Sequence, residues 1–200
     1  MPFLTSRGYA VLRPNYRGSA GLGRTLWLAG DAEWGQKMQD DKDDGAAWLV
    51  EQGIAAKDRI AIFGYSYGGF AAAAAVVRPN GPYQCAISGA PVTDLTKLGR
   101  SWSENRLQRI LQGRTVTGMD PMKNTGKASI PLLTYVGDRD VRTPAFHAKS
   151  FYDAVKGKVP ARFELIPDMP HSMPWYPRHQ TVTLGLIEDF LAKDCKPGGL

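Results

Sequence analysis

A serine inside a glycine-rich turn is the residue of this sequence best suited to act as a nucleophile. Residues 64–68 read Gly-Tyr-Ser-Tyr-Gly, which has the form G-x-S-x-G with Ser66 at its centre. The apolar run 59–63 before it predicts a strand, and the small-residue run 70–77 after it predicts a helix. A strand, this turn and a helix in that order are the context of a nucleophile elbow. The sequence therefore predicts that Ser66 sits in a strained turn with its hydroxyl exposed.

The residues beside Ser66 indicate how such a turn would assist the chemistry. We expect glycine at positions 64 and 68 because a side chain there would collide with the neighbouring strand or helix. The positive end of the following helix would face an oxyanion, and the backbone N–H of Tyr67 would donate a hydrogen bond to it. Tyr65 is a candidate for contact with the substrate.

A serine hydroxyl is a weak nucleophile, so it needs a general base and a residue that orients the base. The sequence has three histidines. His171 follows the predicted strand 162–166, and loops at this end of a strand are where an α/β sheet presents its chemistry. His147 lies in a predicted helix and His179 near the closing helix, so we expect packed or solvated roles for both. His171 is therefore the candidate base.

Three aspartates follow predicted strands and are candidates for the acid. Asp138 and Asp140 both follow the strand 131–136, and residue types and spacing leave the choice between them open. Asp94 follows the strand 85–88, and we expect it to cap or to form a turn. In sites of this kind the serine comes first in the chain, then the acid, then the histidine.

Short apolar runs alternate with helical stretches along the chain, a pattern typical of a parallel α/β sheet. The predicted strands are residues 9–12, 59–63, 85–88, 131–136 and 162–166. The predicted helices are residues 40–52, 70–77, 104–111, 145–155 and 181–193. No repeat or linker interrupts the pattern, which favours a single domain over residues 1–200.

Composition argues against several classes of protein. A hydrophobic fraction of 43% and a charged fraction of 22% are ordinary for a globular chain. No apolar run reaches the roughly 18 residues of a membrane span, so we expect no membrane partner. The net charge is +6, but the basic residues are scattered and residues 40–44 are acidic, so we expect no nucleic-acid partner.

The cysteines and the first residues bear on redox state and location. Cys85 and Cys195 form neither a metal motif nor a disulfide framework by spacing, and we expect two free thiols. The sequence indicates neither a metal nor an organic cofactor. The first residues lack the pattern of a signal peptide, so the chain as given predicts a cytoplasmic location, with export only through an upstream signal.

The chain resembles the catalytic domain of the prolyl oligopeptidase (S9) family, in its acylaminoacyl-peptidase and dipeptidyl-aminopeptidase-like branch. The resemblance runs from about residue 3 to about residue 193. It is carried by residues 7–12, 15–19, 34–41, 48–54, 58–69 and 89–94. It implies an α/β-hydrolase fold, with a mostly parallel sheet flanked by helices, and the activity of a serine-type peptidase.

The resemblance selects among the open candidates. In the family the acid lies three residues after the glycine that ends its strand and is followed by an arginine and a proline, which implies Asp140 and not Asp138. Arg142 matches a family position that can contact a substrate carbonyl, although a surface salt bridge is an equal alternative. The family histidine usually precedes a glycine and an apolar residue, and here His171 is followed by Ser172, a mild departure.

The front of the family domain has no counterpart in the sequence. The first strands, a His-Gly-Gly loop that supplies a second oxyanion donor and a β-propeller are all missing. The resemblance thus implies an absent strand between residues 9–12 and 59–63, which would leave backbone groups unpaired. Either the flanking strands close up, or another chain fills the slot, or the chain is part of a longer one. A homo-oligomer that forms through the exposed sheet edge is one resulting expectation.

These features predict a serine hydrolase that cleaves amide or ester bonds through an acyl-enzyme, with peptides or small acyl esters as substrates. The resemblance favours a peptidase. One alternative is a carboxylesterase on short acyl esters, in which Trp102 and Trp175 are candidates to line an acyl pocket. Another is an inactive domain that acts as an assembly or binding module.

Overall fold

The computed structural model describes residues 2–98, 107, 110, 113–172 and 174–200. Four parallel strands form one sheet in the order β1-β2-β3-β4. The strands are β1 (Ala61–Tyr65), β2 (Cys85–Gly89), β3 (Leu132–Gly137) and β4 (Ala161–Ile166). The helices are α1 (Pro2–Thr5), α2 (Arg24–Leu28), α3 (Lys37–Glu51), α4 (Tyr67–Val77), α5 (Phe146–Val155) and α6 (Pro177–Lys193).

Helices cover both faces of the sheet because both faces are apolar. On one face α4 and α5 pack against alternate strand residues such as Ala86 and Leu132. On the other face α6 packs against Ile87 and Leu133. The small side chains of α4 let it lie directly on the sheet, and residues 69–77 are all buried. The result is a three-layer α/β/α arrangement.

Four of the five predicted strands are confirmed to within two residues, and the fifth is wrong. Residues 9–12 follow a turn in which the N–H of Tyr9 donates to the carbonyl of Leu4, and they belong to no strand. An extended segment becomes a strand only when a neighbour pairs with it. Between these residues and β1 lies a groove instead of a strand.

The predicted helices 40–52, 70–77, 145–155 and 181–193 correspond to α3, α4, α5 and α6 and are confirmed. The predicted helix 104–111 lies outside the described residues, apart from Leu107 and Ile110. Among the helices that the structure describes, none has the length and apolar character to cross a lipid bilayer.

The expectation of two free thiols is wrong. Cys85 at the start of β2 and Cys195 just beyond α6 form a disulfide, with their Cα atoms 5.1 Å apart. The two positions are 110 residues apart in sequence, so no local spacing reveals the pair. The fold brings them together because α6 packs across the face of the sheet to which Cys85 points.

Candidate active site

Ser66 occupies the turn between β1 and α4, with φ 60° and ψ −116°. A positive φ is costly for any residue that carries a Cβ, so the surrounding structure must hold it. One such restraint is the hydrogen bond from the Ser66 N–H to the carbonyl oxygen of Gly89, at 2.9 Å. The predicted strained turn is therefore confirmed, and it presents the serine hydroxyl beyond the end of the sheet.

Two glycines of this turn allow backbone segments to approach more closely than a side chain would permit, but only one of them is at a predicted position. A Cβ on Gly64 would lie 2.3 Å from the carbonyl group of Gly68, which confirms the expected collision. A Cβ on Gly68 itself would meet nothing within 4 Å, so the expectation for that position is wrong. The second tight position is Gly69, where a Cβ would lie 2.3 Å from the carbonyl oxygen of Gly89. Helix α4 thus approaches β2 through Gly69.

His171 and Asp140 meet Ser66 at the same end of the sheet. The Nε2 atom of His171 lies 2.9 Å from Ser66 Oγ, and its Nδ1 atom lies 2.7 Å from Asp140 Oδ2. Asp140 follows β3 and His171 follows β4, so the carboxyl ends of parallel strands bring the three side chains together. Asp138 is exposed, and its backbone N–H donates to the carbonyl oxygen of Ile166.

The hydrogen bonds fix how the imidazole carries its proton. A carboxylate only accepts hydrogen bonds, so Nδ1 must be the protonated nitrogen that donates to Asp140. Nε2 is then left with a lone pair that accepts from the serine hydroxyl. The Asp140 side chain is 0% exposed and that of His171 is 10% exposed, so water does not compete strongly for these bonds.

The loop after β3 holds the buried carboxylate of Asp140. Its Oδ1 atom accepts hydrogen bonds from the backbone N–H groups of Arg142, at 3.0 Å, and Thr143, at 2.8 Å. Its Oδ2 atom accepts from the Thr143 hydroxyl at 2.9 Å, in addition to the imidazole. These donors replace the hydration that the charge loses on burial. The Thr143 hydroxyl is a participant that residue types and spacing did not indicate.

Tyr67, the candidate oxyanion donor, is the first residue of α4. The first N–H groups of a helix have no acceptor within the helix, so the N–H of Tyr67 is free of intrahelical bonding. Its ring packs edge-on against Trp34 with centroids 4.5 Å apart, and its hydroxyl contacts the sulfur of Met38. Burial raises the pKa of the Tyr67 hydroxyl. The side chain thus anchors the helix start while the N–H remains at the elbow.

The two candidate substrate contacts differ in placement. The Tyr65 hydroxyl donates to the carbonyl oxygen of His171 at 3.0 Å, and its ring lies 5.3 Å from the imidazole. This favours a role in holding His171 over contact with a substrate. Arg142 is exposed, and in the part of the chain that the structure describes its guanidinium forms no ion pair. The surface salt bridge considered for Arg142 is thus absent among the residues that the structure describes.

The remaining candidates that the structure describes are buried, cap a turn or pack against a neighbouring ring. His147 and His179 are both 1% exposed, and burial lowers the pKa of His147 to about 4. Asp94 caps a 3₁₀ turn by accepting from the N–H of Thr96, which confirms the expected capping role. Trp175 packs on Tyr65, whereas Trp102 lies outside the described residues. Within the described ranges no group of His, Cys, Asp and Glu side chains is arranged to hold a metal ion.

Comparison with known proteins places the chain in a family. Residues 1–197 match the model of the prolyl oligopeptidase family. The chain belongs to this family. It is 31% identical to dipeptidyl aminopeptidase BIII of Pseudoxanthomonas mexicana, over 96% of this chain and 30% of that protein. It is 28% identical to the acylamino-acid-releasing enzyme of Sus scrofa, over 85% of this chain and 25% of that enzyme.

A solved structure shows the same fold. An acylaminoacyl peptidase, in complex with Z-Gly-Gly-Phe-chloromethyl ketone, superposes with a TM-score of 0.78 at 21% identity, over 91% of this chain and 31% of that one. The predicted α/β-hydrolase fold and the family resemblance are thus confirmed. The chain spans about 30% of the length of the first of these curated relatives.

Proposed function

We propose that this chain is a serine hydrolase that cleaves peptide bonds through an acyl-enzyme formed on Ser66. The observation that carries the proposal is the continuous hydrogen-bonded path from Ser66 Oγ through both nitrogens of His171 to the buried carboxylate of Asp140. A serine, a base and an acid so connected form the constellation that performs acyl transfer on unrelated folds. Membership of the prolyl oligopeptidase family supports a peptide substrate.

The proposed reaction begins when Ser66 Oγ attacks the carbonyl carbon of the scissile bond and His171 Nε2 accepts the hydroxyl proton. The Tyr67 N–H donates to the oxyanion that forms on the carbonyl oxygen. The carbon–nitrogen bond then breaks, and His171 returns the proton to the leaving amine. A water molecule next attacks the acyl-enzyme while Nε2 takes its proton. Release of the acid returns that proton to Ser66.

Asp140 supports both halves of this cycle. Its carboxylate keeps the proton on Nδ1 before the reaction and balances the positive charge of the imidazolium when Nε2 is protonated. We further propose that the exposed guanidinium of Arg142, carried by the same loop, contacts a carbonyl of the bound substrate. A guanidinium that has no carboxylate partner among the described residues is free to donate in this way.

The relative rates expected on ester and amide substrates follow from the number of oxyanion donors. The Tyr67 N–H is the one donor that we assign, and loss of one such donor costs roughly 10²–10³-fold in rate. Amides need this stabilisation more than activated esters do, since their leaving group is poorer. We therefore expect faster release of p-nitrophenol from p-nitrophenyl acetate than of p-nitroaniline from an aminoacyl-p-nitroanilide. Equal rates on the two substrates would argue for a second donor.

Covalent labelling tests the proposed nucleophile. We expect a fluorophosphonate to add one adduct to the wild-type chain, measured by mass spectrometry of the intact protein. Ser66→Ala should lose the adduct, and Ser150→Ala, which changes a serine of α5, should keep it. His171→Ala should slow labelling strongly because the serine loses its base. An adduct that persists in Ser66→Ala, or its absence from folded wild-type protein, would contradict the proposal.

A second proposal concerns assembly, and the edge of β1 favours it. Among the described residues, strand β1 pairs with β2 on one side only. A groove of about 630 Å³ follows its other side, bounded by residues 9–14. Apolar side chains, including those of Leu49, Ile187 and Leu191, line the groove. An unpaired edge with an apolar floor is able to take a further strand. We propose that a second copy of this chain supplies it.

Light scattering tests this assembly. The expected result is a mass above that of one 21.9 kDa chain, and one that falls on dilution. Ala61→Lys places a charge at the edge and should shift the mass toward the monomer. Ser150→Lys, on helix α5, which does not line the groove, is the matched control. A mass of one chain at every concentration tested would overturn the proposal of assembly and leave the hydrolase proposal untouched.

A further inference from the structure

The Thr143 hydroxyl lies within hydrogen-bonding distance of both Asp140 and His171. Its Oγ1 atom is 2.9 Å from Asp140 Oδ2 and 3.1 Å from His171 Nδ1, and those two atoms are 2.7 Å from each other. The three atoms thus form a closed triangle. Thr143 is 4% exposed, so its hydroxyl has little access to water as an alternative partner.

Proton positions in this triangle follow from the chemistry of its members. The Asp140 carboxylate has no proton to give, so the Thr143 hydroxyl must be the donor in their contact. The hydroxyl proton then points at Oδ2, and a lone pair of Oγ1 remains on the side that faces Nδ1. That lone pair is matched only by an Nδ1 that carries a proton. With the proton on Nε2 instead, Nδ1 would face two acceptors.

We infer that Thr143 is a positioning residue that holds Asp140 and sets the tautomer and basicity of His171. The inference rests on the proposed function, because it concerns the base of that reaction. Thr143 acts through the two side chains that it touches and does not itself contact the reacting atoms. Its backbone N–H, which donates to Asp140 Oδ1 at 2.8 Å, fixes the carboxylate from the other side.

The hydroxyl also weakens the carboxylate as an acceptor. A hydrogen bond to an ionised carboxylate stabilises its charge and makes it less basic. Without the Thr143 hydroxyl, Asp140 would lose one donor and would accept the Nδ1–H of His171 more strongly. Among the described residues, the titratable groups in contact with the imidazole are Asp140 and Tyr65, and burial raises the pKa of Tyr65. A change in the Nδ1–H signal of His171 after a change at Thr143 therefore reports on Asp140.

Three variants separate this role from simple packing. Thr143→Val keeps the shape and removes the hydroxyl, Thr143→Ser keeps the hydroxyl and removes the methyl group, and Thr143→Ala removes both. We expect Thr143→Val to lower kcat for ester hydrolysis by roughly 10-fold with little change in KM, since the hydroxyl does not touch substrate. The pH dependence of its kcat/KM should also differ from that of wild type, because the contact between Asp140 and the base has changed. Thr143→Ser should restore both quantities.

A second readout does not depend on turnover. The chain with ¹⁵N-labelled histidine should give a far-downfield proton signal for the Nδ1–H of His171, assigned by its loss in His171→Asn. In Thr143→Val this signal should shift, because the hydrogen bond between Nδ1–H and Asp140 changes.

The possible outcomes are distinct. A wild-type chain that Ser66-directed probes do not label would remove the proposed function without testing the triangle, and the histidine signal would then decide alone. A folded Thr143→Val whose pH profile and Nδ1–H signal match those of wild type would overturn the inference. Loss of stability in Thr143→Ser with normal behaviour in Thr143→Val would assign the residue to packing.

Discussion

Gly137 and Met169 are in backbone contact. A Cβ atom on Gly137 would lie 1.8 Å from the carbonyl oxygen of Met169, although one residue ends β3 and the other lies in the loop after β4. Asp140 follows Gly137 by three positions, and His171 follows Met169 by two. Met169 is 0% exposed, so neighbouring residues hold its backbone in place against Gly137. The close approach between the end of β3 and the loop after β4 thus sets the distance between Asp140 and His171.

Gly137→Ala should therefore weaken the hydrogen bond between Asp140 and His171. The added methyl group has to push the Met169 carbonyl away, which separates the two loops and lengthens the hydrogen bond between His171 and Asp140. We expect kcat/KM for ester hydrolysis to fall by roughly 100-fold or more, since small misplacements of catalytic groups are costly. Gly126→Ala is the control, because a Cβ there meets nothing within 4 Å. Normal activity in folded Gly137→Ala would show that the contact does not set the geometry.

Adjacent glycines of the elbow offer a second matched comparison. Gly69→Ala would place its Cβ 2.3 Å from the carbonyl oxygen of Gly89, which also accepts the Ser66 N–H. We expect this variant to lose labelling by fluorophosphonate and to unfold at lower temperature. In Gly68→Ala the added Cβ meets no neighbour within 4 Å. This variant should be labelled like wild type and should be as stable or slightly more stable, since alanine favours a helix. Equal effects at the two positions would contradict this account of the elbow.

Local patterns in the sequence were sufficient to predict the elbow and the central strands. Ser66 lies in a turn whose glycines, preceding strand and following helix are all adjacent in the chain. His171 could be selected because it lies in the loop that follows a strand. The choice of Asp140 over Asp138 needed the family resemblance, because both follow the same strand and only the path of the loop separates them.

Features that depend on distant contacts could not be predicted in this way. The disulfide joins residues 110 positions apart, and no spacing rule covers such a pair. Residues 9–12 have the composition of a strand, but pairing requires a neighbour that composition does not reveal. The role of Thr143 depends on the position of His171, which is contributed by another strand of the sheet. The need for glycine at 69 depends on the carbonyl of Gly89 in β2.

The disulfide between Cys85 and Cys195 should contribute to stability. It closes a loop of 110 residues, and cross-links of this kind typically stabilise by about 2–4 kcal/mol through the unfolded state. We expect the double variant Cys85→Ala/Cys195→Ala to melt at lower temperature than oxidised wild type. A reductant should lower the melting temperature of wild type and leave that of the double variant unchanged. If the reductant also lowered the melting temperature of the double variant, its effect on wild type could not be attributed to the disulfide.

The ammonium group of Lys42 should make stability depend on pH. Burial lowers the pKa of Lys42 to about 7, against the opposing charges of Asp41 and Asp43, and its Nζ atom lies 3.4 Å from the ring centroid of Tyr16. The unfolded chain keeps the ordinary lysine value of about 10.4. Between these two values the unfolded state binds more protons than the folded state, so stability rises with pH across that window.

The comparison of wild type with Lys42→Met isolates this effect, because methionine fills similar space without a charge. We expect the free energy of unfolding of wild type to rise by roughly 1–2 kcal/mol more than that of the variant between pH 7 and pH 9. Burial raises the pKa of both Tyr16 and Tyr67, the two aromatic neighbours, so neither tyrosine titrates in this window. Urea denaturation at pH 7, 8 and 9 measures the difference. Parallel pH dependence in the two proteins would mean that Lys42 keeps its charge throughout and that its ammonium is hydrated in the folded state.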